Sequence, residues 1–229
     1  MKDLAVIETI LRNRYHFFIE IRDGVKLNEK MRAMLISSIL FLALYGAVLG
    51  STHSLWQTLS SAFKLPVLFL ATLVICSPTL YFFNILFGSN QSLTQNVILI
   101  LTAITVTAVI LLSFAPIVVF FLLTTSNYQF FKLMNVIIFA IASSVGVVFL
   151  SQGMRIVSSA GKEGARARRW VMWLWVLVYA FVGSQMAWTL RPFIGAPSMQ
   201  FELFRQLGGN FYTNIFASIG EILGFFVVR

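Results

Sequence analysis

Eight carboxylates, two imidazoles and one thiol are the groups in this 229-residue chain that could do chemistry, and their spacing argues against it. Asp3, Glu8, Glu20, Asp23, Glu29, Glu163, Glu202 and Glu221 all fall outside the five long apolar stretches expected to span a membrane. No carboxylate pair is therefore available within a span for acid–base work. Nor does a carboxylate sit near a membrane midplane, where ion-coupled transporters usually keep an ionisable group. His16 and His53 flank the first stretch and are expected on opposite sides, which excludes a paired-His metal site. Cys76 is the only cysteine, so an intrachain disulfide and a cysteine metal cluster are excluded, and its place inside the second apolar stretch argues against a Cys-His nucleophile and for a small apolar packing role. The loop from Gly161 to Arg169 is rich in glycine and arginine but lacks the GxxxxGK[ST] order and follows no strand. The expectation is a non-enzymatic chain without cofactor or metal.

The polar side chains left inside apolar stretches are Asn84, Gln95, Asn96, Asn135 and Gln185. Asn84 and Asn96 fall near the same end of adjacent stretches and are placed to bond to each other. Gln185, Trp188 and Arg191 share a helix face at i, i+3, i+6 spacing. Such residues serve either as interhelical hydrogen bonds, at about 0.6 kcal/mol each, or as a polar groove for a headgroup or small solute.

The elements that position them follow from composition. Apolar residues make up 59% of the chain and charged ones 11%, with 23 Phe, more apolar surface than a water-soluble fold of this length can bury. The pattern is all-α: a helical bundle of five spans, or six if the last segment crosses, with amphipathic interfacial helices at both ends. Residues 1–32 form an amino-terminal part, 33–190 the spanning bundle and 191–229 a tail. Within the first, 3–23 reads as one amphipathic helix with Ile7, Ile10, Leu11, Phe17, Phe18 and Ile21 on its stripe. It either lies in the headgroup layer or packs on the spans. No cleavable signal is evident, so the first span is expected to act as an uncleaved anchor.

The first span covers about Ala33–Gly50, where Gly46 and Gly50 form a small-xxx-small pair facing a neighbouring helix of this chain or of another copy. Residues 52–63 are too polar to span and read as a short interfacial helix anchored by Trp56. The second span, about Leu65–Phe87, begins with Pro66 and is kinked at Pro78. The third stretch, Leu93–Thr124, would be roughly 48 Å as one helix, so it bends at Pro116 or stops there. Thr102, Thr105 and Thr107 in it are placed to bond back to their own helix. The fourth span runs about Phe130–Val157, with Ala140, Ala142, Ser144 and Gly146 on a packing face and Lys132 and Arg155 snorkelling to opposite ends. The fifth, about Trp170–Leu190, has aromatic belts of Trp170, Trp173 and Trp175 at one end and Trp188 at the other. The segment Phe211–Val228 is either interfacial or a sixth crossing, Glu221 being the residue against crossing.

Basic residues set the orientation. One cluster (Lys2, Arg12, Arg14, Arg22, Lys26, Lys30, Arg32) precedes the first span. A second (Arg155, Lys162, Arg166, Arg168, Arg169) follows the fourth. An even number of crossings between them puts both on the cytoplasmic side and the carboxyl terminus on the far side, in a bacterial inner membrane or a eukaryotic endomembrane. The basic residues have no nucleic-acid module around them. Arg12, Arg14, Arg166, Arg168 and Arg169 are the residues expected to meet anionic headgroups or a membrane or cytoplasmic protein partner, and a homo-oligomer is left open.

The span at 33–50, the link Lys64-Leu65-Pro66, the Pro78-bearing second span, the Gly88-Ser89 turn, the stretch Leu112-Ser113-Phe114-Ala115-Pro116 and the span after Asn127-Tyr128 resemble the Ypt-interacting (Yip) family of membrane proteins. The resemblance covers residues 33–157. It implies a cytoplasmic amino terminus, five spans and a non-enzymatic role in membrane organisation, with small-GTPase binding and vesicle traffic in eukaryotic members. The leading expectation is a scaffold or accessory subunit. The alternative is a small passive pore or solute or lipid facilitator shaped by the kinks at Pro78 and Pro116. Replacing Arg166, Arg168 and Arg169 by glutamine is expected to weaken partner recovery in a pull-down while orientation, read by terminal reporter fusions, is kept. Unchanged recovery counts against the contact role; inverted orientation reassigns the three to topology.

Overall fold

The computed structural model describes residues 5–51, 54–86, 91–125, 127–158, 165–194, 201–204 and 209–223; His53, Gly88-Ser89 and Gly161–Gly164 lie outside them. The described residues fold into eight helices: α1 Ala5–Arg12, α2 Arg14–Arg22, α3 Leu27–Gly50, α4 Leu55–Leu86, α5 Leu93–Thr124, α6 Tyr128–Val157, α7 Ala165–Thr189 and α8 Phe211–Ile222. Five of them, α3 to α7, are long and apolar enough to cross a membrane. The chain is a multi-pass membrane protein. At 12 residues α8 reaches only about 18 Å, short of a hydrocarbon core of about 30 Å.

Lateral order follows from which helices touch. α3 packs on α4 and α5, α5 packs on α6, and α4 packs on α7. The outer helices α6 and α7 thus flank the pair α4 and α5, with α8 resting on both.

The small residues work within this chain. A side chain on Gly46 would collide with the Ser61 backbone of α4, and one on Gly50 would come within 2.7 Å of Thr58 Cα. Gly146 does the same for α6 against Ala103 and Thr107 of α5, with Ala142 fully buried beside it. Ala140 and Ser144, expected on that face, are exposed, and Ala140 borders the space between α6 and α7. Without a hydrophobic drive between helices in lipid, such close backbone approach supplies much of the attraction.

Polar side chains complete the packing. Ser38 Oγ and Thr105 Oγ1 lie 2.9 Å apart, joining α3 to α5. The Tyr45 hydroxyl donates to Asn135 Oδ1 at 2.9 Å, joining α3 to α6. Asn84 Nδ2 donates to Asn96 Oδ1 at 3.1 Å, the pairing expected from sequence. Thr102, Thr105 and Thr107 each bond back to the carbonyl four residues earlier, also as expected.

Several expectations are corrected. The amino-terminal helix is two, broken at Asn13, and it packs on the spans. Its buried stripe is Val6, Ile10, Phe17, Phe18 and Ile21, while Leu11 is exposed. Phe18 sits where a side chain on Gly153 of α6 would be, and Gln95 at the start of α5 donates to the Ile21 and Arg22 carbonyls at 2.9 and 3.0 Å. Lys30 closes the dock from α3 with a 3.0 Å ion pair to Glu20.

Nor do residues 55–63 form a separate interfacial helix. They are the first turns of α4, and Pro66 lies inside the helix rather than at its start. Pro78 and Pro116 are likewise internal, and α5 does not stop at Pro116. Near Pro78, backbone oxygens accept side-chain donors from neighbouring helices: Trp175 Nε1 to Cys76 at 2.9 Å and Asn96 Nδ2 to Ser77 at 3.2 Å. Neighbours satisfying the backbone around a proline are what make it tolerable in a spanning helix. Trp175 is therefore buried in the bundle, not part of an aromatic belt. The Arg166, Arg168 and Arg169 segment starts α7 as helix rather than loop, and Arg169 faces outward.

Gly46→Leu and Gly50→Leu are expected to destabilise the bundle by about 1–3 kcal/mol each through overpacking. Gly183→Leu on α7, where a Cβ meets only Thr72 Cγ2 at 3.8 Å, is expected to be tolerated. Thermal aggregation midpoints of the three variants in detergent check this, and equal losses would contradict the assigned faces.

Candidate functional site: a groove between α6 and α7

Because α6 packs on α5 and α7 packs on α4, the space between the outer helices is not filled by their own contact. A cavity of about 690 Å³ occupies it, floored by α4 and α5 and capped at one end by α8 and the segment 191–194. Its walls along the floor and flanks are apolar: Leu65, Phe69, Ile104, Phe139 and Val147 are examples. Phe69 stacks on Phe139 at 6.3 Å across the floor. Gly183 keeps the walls apart, since it carries no side chain into the space.

The capped end is polar and cationic. Lys132 Nζ donates to Asn214 Oδ1 of α8 at 2.9 Å and lies 5.8 Å from the Tyr128 ring centroid. An ammonium has three donors, so this contact leaves capacity for an anion. Arg191 stacks on Trp188, its guanidinium carbon 3.4 Å from the ring centroid. Gln129, also lining this end, donates to Glu221 of α8 at 2.8 Å. The sequence-predicted snorkel of Lys132 is thus a tether between α6 and α8, and Glu221 is held at the same tether. The lining residues include Lys132 and Arg191 but no carboxylate. Midway down the groove the Tyr179 hydroxyl is buried and has no hydrogen-bond partner among the described residues.

The cap is held by an arrangement that sequence reasoning missed. On the first turns of α4 the apolar side chains Leu55, Trp56, Leu59 and Phe63 are 82, 70, 64 and 72% exposed, while Gln57, Ser61 and Lys64 are buried. The polar face points inward. There Gln57 Nε2 donates to the Pro192 carbonyl at 2.9 Å, and Ser61 Oγ to that of Phe193 at 2.6 Å. Lys64 Nζ reaches the Pro192 carbonyl at 3.3 Å and also the Leu203 carbonyl, with its ammonium 4.8 Å from the Phe204 ring centroid. Non-helical backbone is tolerated at such a position only when protein groups satisfy its carbonyls. The readable signal was the i, i+4, i+7 spacing of Gln57, Ser61 and Lys64.

The expected face of Gln185, Trp188 and Arg191 is split: Trp188 and Arg191 line the groove, and Gln185 does not. Arg14 lies at the opposite end of the bundle with Arg155, and Arg12 pairs with Glu8 at 2.7 Å. Among the described residues no three His, Cys, Asp or Glu side chains come together as a metal site. Comparison with protein-family models, with curated proteins and with solved structures returns no match.

Lys64→Met is expected to loosen residues 191–194 and 201–204, because hydrogen bonds from a charged group are worth about 1.5–3 kcal/mol. Limited proteolysis of the detergent-solubilised protein should cut the variant there faster than the native chain. Equal rates would mean that Gln57 and Ser61 suffice.

Proposed function

We propose that this protein is a non-catalytic membrane protein that holds an amphiphile in the α6/α7 groove, its anionic head at the α8 end. The observation that carries the reading is the lining itself: long apolar walls ending in Lys132 and Arg191, with the nearby Glu221 engaged by Gln129. Binding sites for small molecules combine an apolar body with a few placed polar groups in this way. A carboxylate or phosphate head would take the remaining donors of Lys132 and pair with Arg191, while chains occupy the space beside Phe69, Phe139 and Val147. The apolar walls favour a lipid-like occupant over a water-filled pore.

A scaffold or accessory role fits alongside. Only 11% of the most apolar part of α7 is buried, against 50% for α3, which leaves α7 with a broad face for a partner helix or for lipid. With the amino terminus cytoplasmic, as the basic clusters imply, the groove head would lie on the far side. The Yip resemblance adds a role in membrane organisation to the same proposal.

Mass spectrometry of lipids retained after mild-detergent purification tests the reading. The native protein is expected to carry an anionic amphiphile near one per chain. Gly183→Phe should exclude it without unfolding the bundle, and Lys132→Gln should lower retention of anionic over zwitterionic lipids. Retention unaltered by both substitutions would overturn the proposal.

A further inference from the structure

The α6/α7 groove ends inside the bundle. The innermost residues that line it are Thr72 of α4, Ile100 of α5, Leu150 of α6 and Trp175 of α7, each at most 4% exposed. One turn further in, Cys76, Asn96, Met154 and Met172 are buried, so the space stops there instead of running through the bundle. Trp175 is a fixed stop: its Nε1 donates to the Cys76 carbonyl at 2.9 Å, and its ring lies 5.1 Å from that of Tyr179. The groove is therefore a blind slot, cationic at the α8 end and apolar at its closed end. Ala140 and Ala180, small exposed residues that border it, leave a lateral way in from the bilayer.

Helical rise turns the slot into a length. Lys132 and Leu150 lie about 27 Å apart along α6, and Trp175 and Trp188 about 20 Å apart along α7. With C–C bonds of about 1.5 Å at about 111°, an extended chain advances about 1.25 Å per carbon, so the slot takes about 16–21 carbons. Volume then sets the number of chains. Benzene fills an engineered cavity of about 150 Å³, or about 25 Å³ per carbon. One chain of that length needs about 400–525 Å³ of the 690 Å³ present, which leaves room for a head. Two such chains need about 800 Å³ or more. The head end is capped by α8 and residues 191–194. A second chain on the same head would have to displace that cap or stay outside, where it gains nothing over ordinary bilayer lipid.

We infer that the occupant is a single-chain anionic amphiphile, a fatty acid or lysophospholipid, whose one extended chain is measured against Ile100, Leu150 and Trp175. The inference rests on the amphiphile reading of the groove and adds to it the number of chains and their length.

The test is native mass spectrometry of the full chain in detergent, titrated with saturated fatty acids from decanoate to lignocerate. Lysophosphatidylglycerol and phosphatidylglycerol of matched chains are compared in the same way. Stearate is expected to bind best, with decanoate and lignocerate each weaker by roughly tenfold, since methylenes missing from the slot or left outside it bury nothing there. Lysophosphatidylglycerol should outcompete phosphatidylglycerol by a similar factor. Leu150→Phe should move the optimum about two carbons shorter, and Ile100→Ala, which enlarges the closed end, about two carbons longer. The second variant keeps the test open where the first fails to fold. Phosphatidylglycerol binding as tightly as its lyso form overturns the single chain. Affinity still rising at lignocerate, or an optimum unmoved in both variants, overturns the measured length. Each of these outcomes leaves the groove reading standing, because anionic amphiphiles still bind. Binding of no amphiphile at all would overturn both.

Discussion

Inside a bilayer a polar group has no water to fall back on, and this fold depends on how its buried donors and acceptors find each other within the protein. The demand is sharpest on the first turns of α4. Gln57, Ser61 and Lys64 would be costly facing lipid, and the carbonyls of Pro192, Phe193 and Leu203 would be costly at the same depth without donors. Each set answers the other. Helix α4 is consequently apolar outside and polar inside over these turns, the reverse of an amphipathic helix in water.

The same constraint places the helices laterally. Lipid tails are as apolar as leucine, so leucine contacts alone do not choose one helix neighbour over another. What chooses is a small residue that permits close approach or a side-chain bond that would otherwise go unmade. α3 and α4 meet through Gly46 and Gly50, α3 and α6 through Tyr45 and Asn135, α4 and α5 through Asn84 and Asn96, and α4 and α7 through Trp175 and the Cys76 carbonyl. The groove lies between α6 and α7, whose described side chains share no such bond, and α8 bridges its polar end, Asn214 and Glu221 bonding to α6 and Tyr212 to Ser184 of α7.

Much of this was legible in the sequence. Span length and apolar composition fix the five crossings, because hydrocarbon thickness sets helix length. The Asn84–Asn96 pair was legible because both are amides near the same end of consecutive helices. The burial of Lys64 was not, since a lysine two residues before a proline reads as the edge of a span. Its partners are backbone carbonyls 128 and 139 positions away, and any residue type supplies a carbonyl. The split of the amino-terminal helix at Asn13 was hidden for a related reason: the stripe is continuous in sequence, and only the docking of α1 on α3 and α5 shows that Val6 rather than Leu11 is buried.

The glycines show where sequence reading stops and geometry begins. Gly46, Gly50, Gly146 and Gly183 all sit in spanning helices, and nothing in their local sequence separates them by role. The first three are places where another helix backbone or side chain fills the room that a Cβ would need. Gly183 has almost nothing near it, and the room it leaves remains open as part of the groove. A small residue can thus bring two helices together or keep a space between them, depending on whether a partner helix closes over it. At Gly183 no partner closes, because α7 is already committed to α4 through Trp175 and α6 to α5 through Gly146. The groove is therefore a consequence of those two commitments.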